Sequence, residues 1–129
     1  MLMPTDADYV RLLEFRDALR RFLHWSEQEA AGAGLTAAQH QLLLVIRGTP
    51  EPGPTIRDVA GHLLLRHHSV VGLVDRTEAA GLITRVPDAA DHRVVRLRLT
   101  RAGGARVKRL AETHLEELRR LAPVVSKMR

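Results

Sequence analysis

His68 and Ser69 stand side by side, and His62 and His67 sit close by in the densest group of chemically versatile side chains in this sequence. A serine beside a histidine suggests a nucleophile and its base. Adjacent residues on a helix, however, do not face each other. No carboxylate is placed to orient the imidazole, and no Gly-x-Ser-x-Gly elbow is present. A zinc site needs three or four converging ligands, usually with thiolate or carboxylate help. His67 and His68 point to different helix faces, and His24, His40, His92 and His114 are scattered along the chain. The chain has no cysteine, which removes disulfides, thiolate nucleophiles, thiol redox switches and Cys-based zinc sites. Gly103-Gly104 opens a helix rather than following a strand, so it reads as close packing and not as a phosphate loop. Catalysis and a resident metal are therefore disfavoured, and no cofactor is expected.

Recognition of a polyanion remains. Arg66-His67-His68-Ser69 is a run of hydrogen-bonding side chains, and Asp88, Asp91, His92 and Arg93 crowd a second short polar stretch. The chain has 129 residues and a net charge of +5, with 18 Arg but only 2 Lys. Residues 1–54 carry −2, residues 55–101 carry +3 and residues 102–129 carry +4. The excess positive charge thus lies in the middle and the tail, where both polar runs or their neighbours fall, and it points to nucleic acid.

The elements that must position these residues follow from periodicity. Leu12, Phe15, Leu19 and Phe22 recur at helical spacing over about 6–31, with Leu13 and Leu23 beside them, and Gly32-Ala33-Gly34 ends the run. At about 26 residues, or about 39 Å, this helix is long for a single domain, and its seam suits packing against another chain. Trp25, Phe15 and Phe22 could line a ligand pocket, although core or seam is the plainer reading. Thr36 with Gln39 is a capping-box pattern for a second helix through Leu42, Leu43 and Ile46, stopped by Gly48. Pro50, Pro52 and Pro54 form a stiff connector. Thr55 with Asp58 opens a third helix that buries Ile56, Val59, Ala60 and Leu63. A fourth begins at the Arg66–Ser69 run, with Val70, Val71, Leu73 and Val74 inward, and stops at Gly81. Strands over Leu82–Val86 and Val94–Leu99 flank a turn over Pro87–His92. A last helix runs from Thr100 to about Ala122, with Val107, Leu110, Ala111, His114, Leu115, Leu118 and Leu121 on one side, and Pro123 ends or bends it.

Helix, turn, helix, strand, charged loop, strand is the order of a winged helix. The first turn of its second helix fits the major groove, and an arginine at the hairpin tip suits the minor groove. Over about residues 35–122 the sequence resembles the MarR family of bacterial transcription regulators. The residues carrying the resemblance are Leu35-Thr36 with Gln39, Thr55-Ile56-Arg57-Asp58-Val59-Ala60, Ser69-Val70-Val71, and Asp75 through Ile83 leading to Arg85. Asp91-His92-Arg93 and Leu99-Thr100-Arg101-Ala102-Gly103 complete it.

The resemblance implies a homodimer whose first and last helices interlock through Leu12, Phe15, Leu19, Phe22, Leu115, Leu118 and Leu121. It implies double-stranded DNA, a pseudo-palindromic operator, as the partner of Thr55, Arg57, Arg66, His67, His68, Ser69, Gly72, Arg76, Asp91, His92 and Arg93, with Asp91 orienting Arg93 by a salt bridge. It also implies a small aromatic or phenolic anion as effector, bound between the dimerisation helices and the DNA-binding lobe. Two departures stand out: Thr77 replaces an apolar residue, which predicts looser packing of the fourth helix, and the chain ends soon after Pro123.

The expected fold class is mainly α with a small β-hairpin wing (α+β). Residues 1–129 form a single domain, in which 6–34 and 101–129 are dimerisation helices and 35–100 the DNA-binding lobe. The expected function is a sequence-specific DNA-binding regulator acting as a repressor, non-enzymatic, located in the cytoplasm at the nucleoid and without a membrane partner. The alternative is a winged helix used for protein contact, an adaptor or anti-regulator that does not bind DNA.

Overall fold

A computed structural model describes residues 2–127; Met1, Met128 and Arg129, at the ends of the expected domain, lie outside the described residues. The element order is α1 (Asp6–Gly32), α2 (Ala37–Gly48), α3 (Ile56–Leu63), α4 (His67–Ala79), β1 (Ile83–Pro87), β2 (Val95–Leu99) and α5 (Arg101–Ser126). One sequence device starts three of these helices. Thr5, Thr36 and Thr55 each accept a hydrogen bond from the backbone of the third helical residue. The side chain of that residue (Asp8, Gln39 or Asp58) in turn accepts from the threonine N–H. Each box satisfies two otherwise orphaned donors, a contribution of about 1 kcal/mol per cap. Thr100 caps α5 in the simpler way, accepting from Gly103 N–H at 3.1 Å.

The core gathers where α2, α3, α4 and the hairpin meet. Leu42, Leu43, Val59, Val70, Leu73, Val74, Ile83 and Leu97 are all essentially out of water there. Of the predicted inward face of α3, only Val59 is fully buried, and Ile56, Ala60 and Leu63 are half-buried because α3 has two turns and covers the core at its rim. Val71, predicted inward on α4, is likewise half-buried. Thr77 corrects the expectation of looser packing. It is fully buried, and its hydroxyl donates to Leu73 O at 2.7 Å, so the extra polar atom is satisfied within its own helix.

The strands pair antiparallel from Ile83↔Leu99 to Pro87↔Val95, one residue later at the front than the sequence suggests, and Leu82 is core instead of strand. The other edge of β2 is covered at one point, where Leu97 N–H donates to Pro54 O at 2.9 Å. Gly53 allows that approach: its φ is +93°, and a Cβ there would stand 2.8 Å from Leu97 O.

The last helix does not end at Pro123 but runs on to Ser126, with Lys127 N–H reaching Pro123 O at 3.3 Å. Proline withholds a single N–H, so one rung is lost and the following turn still closes. Only Val107, Leu110 and Gly103 of α5, and only Ser26 and Ala30 of α1, are buried. Beyond them Leu12, Phe15, Leu19, Leu115 and Leu118 are 39–61% exposed, an apolar seam with no cover among the described residues.

Gly103 fits α5 onto the hairpin so closely that a Cβ would lie 2.0 Å from Leu82 O, whereas Gly104 has open space around it. Gly103→Ala is expected to lower stability by about 1–3 kcal/mol through overpacking. Gly104→Ala is expected to raise it by about 0.5–1 kcal/mol through helix propensity. Urea unfolding of the two single variants measures both.

Candidate nucleic-acid interface

Burial of Val70, Leu73, Val74 and Thr77 on one side of α4 turns its opposite side outward. Arg66, His67, His68 and Ser69 are all exposed at its first turn. Arg66, the N-cap residue, makes no side-chain cap hydrogen bond, so the positive end of the helix is left to solvent among cationic and polar side chains. Gly72 has Arg76 lying back over it: a Cβ at Gly72 would come within 3.3 Å of Arg76 Nη1, and this space lets the guanidinium fold along the helix. Arg57 is exposed on α3, and Thr55 is half-buried with its oxygen already serving the helix cap.

The α3–α4 turn depends on Leu64, the one residue here that sequence patterning gave no reason to single out. It adopts left-handed geometry (φ +55°, ψ +42°), donates its N–H to Ala60 O, and is 90% exposed. No glycine marks the spot, so no local signal announced the reversal.

Three groups of ion pairs hold α4 and the wing. Arg85 on β1 donates to Glu78 at 2.5 Å and to Asp75 at 2.5 Å, tying the second half of α4 to the hairpin. Asp88 faces inward at the wing root instead of standing at its tip. It accepts Arg96 Nε at 2.9 Å and the N–H groups of Ala90 and Asp91 at 3.0 and 2.9 Å. Arg96 reaches on to Gly53 O at 3.1 Å, so wing and proline connector are one unit. At the tip, Arg93 donates through Nε and Nη2 to the two oxygens of Asp91, at 3.1 and 3.2 Å. This fork-on-fork pair fixes the guanidinium's direction while leaving the arginine side chain 91% exposed. His92 beside it is exposed. The sequence placed Asp91 and Arg93 together correctly, but it gave no hint of Arg96.

Between α1, α2 and α5 lies a cavity of about 510 Å³ whose lining includes Phe22, Ser26, His40, Leu44, His114 and Leu118. His114 Nδ1 sits 2.7 Å from Leu110 O and its Nε2 sits 2.7 Å from Ser26 Oγ. Trp25 packs against the same ring at a tilt of 54°, with 4.7 Å between centroids. Of the three aromatics that could line a pocket, Phe22 lines this one. Phe15 belongs instead to an apolar groove with Leu19, Leu118 and Leu121. Among the described residues no three His, Cys, Asp or Glu side chains are grouped to hold a metal ion. None of the described helices is long and apolar enough to cross a membrane.

The fold and this surface define a winged helix-turn-helix protein flanked by two long helices. A sequence model of the MarR family matches residues 33–94. The HTH-type transcriptional regulator PecS of Dickeya dadantii (strain 3937) is 29% identical over 86 residues, 66% of this chain and 52% of PecS. The chain thus spans about half the length of the curated relative it matches. A point mutant of S. aureus MepR bound to an oligodeoxyribonucleotide superimposes with a TM-score of 0.71 at 23% identity, covering 93% of this chain and 84% of that one. CouR from Rhodococcus jostii RHA1, bound to p-coumaroyl-CoA, gives 0.77 at 24% identity and covers 98% and 90%. At such identities the structural likeness is one of fold. Over residues 33–94 the chain is thus similar in sequence to the MarR family, and its whole fold is that of the winged helix-turn-helix structures above.

The Arg96 guanidinium holds the Asp88 carboxyl below its ordinary value of 3.8, and Arg93 does the same for Asp91. A depressed carboxylate favours folding above the unfolded value, and the benefit is lost as pH falls through the folded one. Carboxyl-carbon NMR is therefore expected to show both groups still mainly ionised at a pH where an unperturbed aspartate is half protonated. Arg93→Ala should return Asp91 toward the ordinary value and leave Asp88 low.

Proposed function

We propose that this protein is a sequence-specific repressor that binds a pseudo-palindromic DNA operator as a homodimer and is released by a small aromatic or phenolic anionic effector. The observation that carries the reading is the pairing of two outward features. The uncapped first turn of α4 offers Arg66, His67, His68 and Ser69. The wing carries Arg93, held in direction by Asp91 yet open to solvent. A helix end of that kind fits the major groove, where paired hydrogen-bonding side chains distinguish bases. An arginine on a hairpin tip fits the narrow minor groove, whose negative potential attracts it. Arg57 and Arg76 flank the helix and suit phosphate contact, which fixes register without reading sequence. The half-buried hydroxyl of Thr55 can still donate to a phosphate while its lone pair serves the cap.

The exposed seam formed by Leu12, Phe15, Leu19, Leu115 and Leu118, with the half-buried Phe22 and Leu121, supports the dimer, because a contiguous apolar surface on two long helices favours a matching copy. The cavity between α1, α2 and α5 supports the effector. It lies where the seam helices meet α2 of the winged-helix lobe, and its walls are largely apolar with a few imidazole, hydroxyl and amide groups and the carboxylate of Glu27 at its exposed side. That the MepR mutant was solved with an oligodeoxyribonucleotide and CouR with p-coumaroyl-CoA is in keeping with both halves of the proposal. The site of action is then the cytoplasm, on the nucleoid.

Selection of bound fragments from random duplex DNA is expected to return a two-fold motif with half-sites about one helical turn, about 34 Å, apart. On that motif affinity should fall steeply with salt. Arg93→Ala should weaken binding by about 1–3 kcal/mol while lowering the thermal midpoint only slightly, because its pair with Asp91 is exposed. No enriched motif and no salt dependence would sink the reading. Leu19→Glu with Leu118→Glu should shift the particle mass in sedimentation from two chains toward one, and a wild-type monomer would remove the dimer.

A further inference from the structure

We propose that His40 and His114 form a proton-operated latch, which in mildly acidic conditions loosens α2 from the α1–α5 scaffold and weakens DNA binding. The two rings lie 4.8 Å apart between centroids, one on α2 and the other on α5, and Ser26 of α1 bonds the second. Three helices therefore meet at one pair of imidazoles.

The hydrogen bonds define the neutral state. A carbonyl oxygen can only accept, so His114 Nδ1 carries its proton toward Leu110 O, and Nε2 accepts from the Ser26 hydroxyl. A proton arriving at Nε2 reverses that bond and leaves the serine's own proton without its partner. His40 is only 4% exposed, no described hydrogen bond involves its ring, and the ring's contact with water is through the cavity it faces. An imidazolium there keeps little of its hydration among Phe22, Leu44, Val107 and Leu118.

The charged or titratable groups that line this cavity are few. They are Glu27 on α1, His40 on α2 and His114 on α5, and α3, α4 and the strands contribute none. Glu27 is exposed, where water screens it. A charge on His114 opposes a second charge on His40, so the two rings repel when both are protonated.

Burial, and then the charge of His114, push His40 below its ordinary value of 6.5. The unfolded chain thus accepts a proton that the folded chain refuses. Folding is favoured in full above about 6.5, and the advantage declines as pH falls through that value. The strain falls on α2, which buries Leu42, Leu43 and Ile46 in the DNA-binding lobe. Its position sets how α3 and α4 stand relative to the seam helices.

The test compares wild type with His40→Gln and His40→Phe between pH 7.5 and 5.5. Over that range the wild-type unfolding equilibrium should shift toward the unfolded state by up to about tenfold more than that of either variant. Parallel profiles would overturn the proposal. The ratio of wild-type to His40→Gln dissociation constants for DNA should also rise as pH falls, a comparison that cancels the surface histidines common to both. A constant ratio beside divergent stabilities would overturn the latch. If both variants fail to fold, ring-proton NMR of the wild type decides, since a His40 midpoint at or above 6.5 sinks the idea. The DNA arm rests on the proposed function and the stability arm does not, so absence of any DNA binding would count against that function while the stability profiles still judge the imidazole pair.

Discussion

Val70, Leu73, Val74 and Thr77 recur along one side of α4 and are all removed from water, and this burial fixes the rotation of the helix about its own axis. Rotating α4 by a quarter turn would drag Arg66 or His68 toward the core and expose a branched apolar residue, an exchange costing several kcal/mol. The polar first turn therefore faces outward as a consequence of packing, before any ligand is present. Arg85, held by Glu78 and Asp75, adds a second constraint along the helix, since it fixes α4 to the strand that leads into the wing. The first turn of α4 and the wing are thus positioned by a shared core and by one shared cation.

The wing follows a similar logic on a smaller scale. A two-stranded hairpin is marginal when it stands alone. This one is tethered at its root, where Asp88 gathers two turn N–H groups and Arg96, and Arg96 extends to the proline connector. The tip can then spend its only carboxylate, Asp91, on directing Arg93. Inward and outward aspartates three residues apart thus have separate tasks, one shaping the loop and the other aiming the cation. Gly53 makes the tether possible by bringing backbone against backbone.

Beyond the lobe, the long helices α1 and α5 leave most of their apolar residues in solvent, which contrasts with the dry interior of the lobe. The cavity with its imidazole pair lies at the junction of these two regimes, where α2 crosses from one to the other. An event there, whether a bound molecule or a proton, acts at the point where the lobe is attached. Under the proposed function, that placement would give regulation a physical route apart from the first turn of α4 and the wing.

Much of the fold was legible in the sequence because its signals are local. Thr36 with Gln39 and Thr55 with Asp58 marked helix starts, the 3–4 spacing of apolar residues marked the helix faces, and period-two alternation marked β2. The grouping of Arg66–Ser69 and of Asp91 with Arg93 was legible for the same reason, since each lies within one turn of chain. Contacts between residues far apart in the sequence left no such trace. Nothing local joins Arg96 to Gly53, Ser26 to His114 or His114 to His40, and these depend on how helices cross after the core has formed. Burial of Thr77 ran against local preference because tertiary packing outweighed it, and the left-handed Leu64 did so because closing α3 brings the N–H groups of Leu64 and Leu65 onto Ala60 O. The sequence by itself determined the elements, their order and their polar faces through short-range periodicity and capping. Only the tertiary structure decided which side chains from separate elements meet, because those meetings are set by the shape of the shared core.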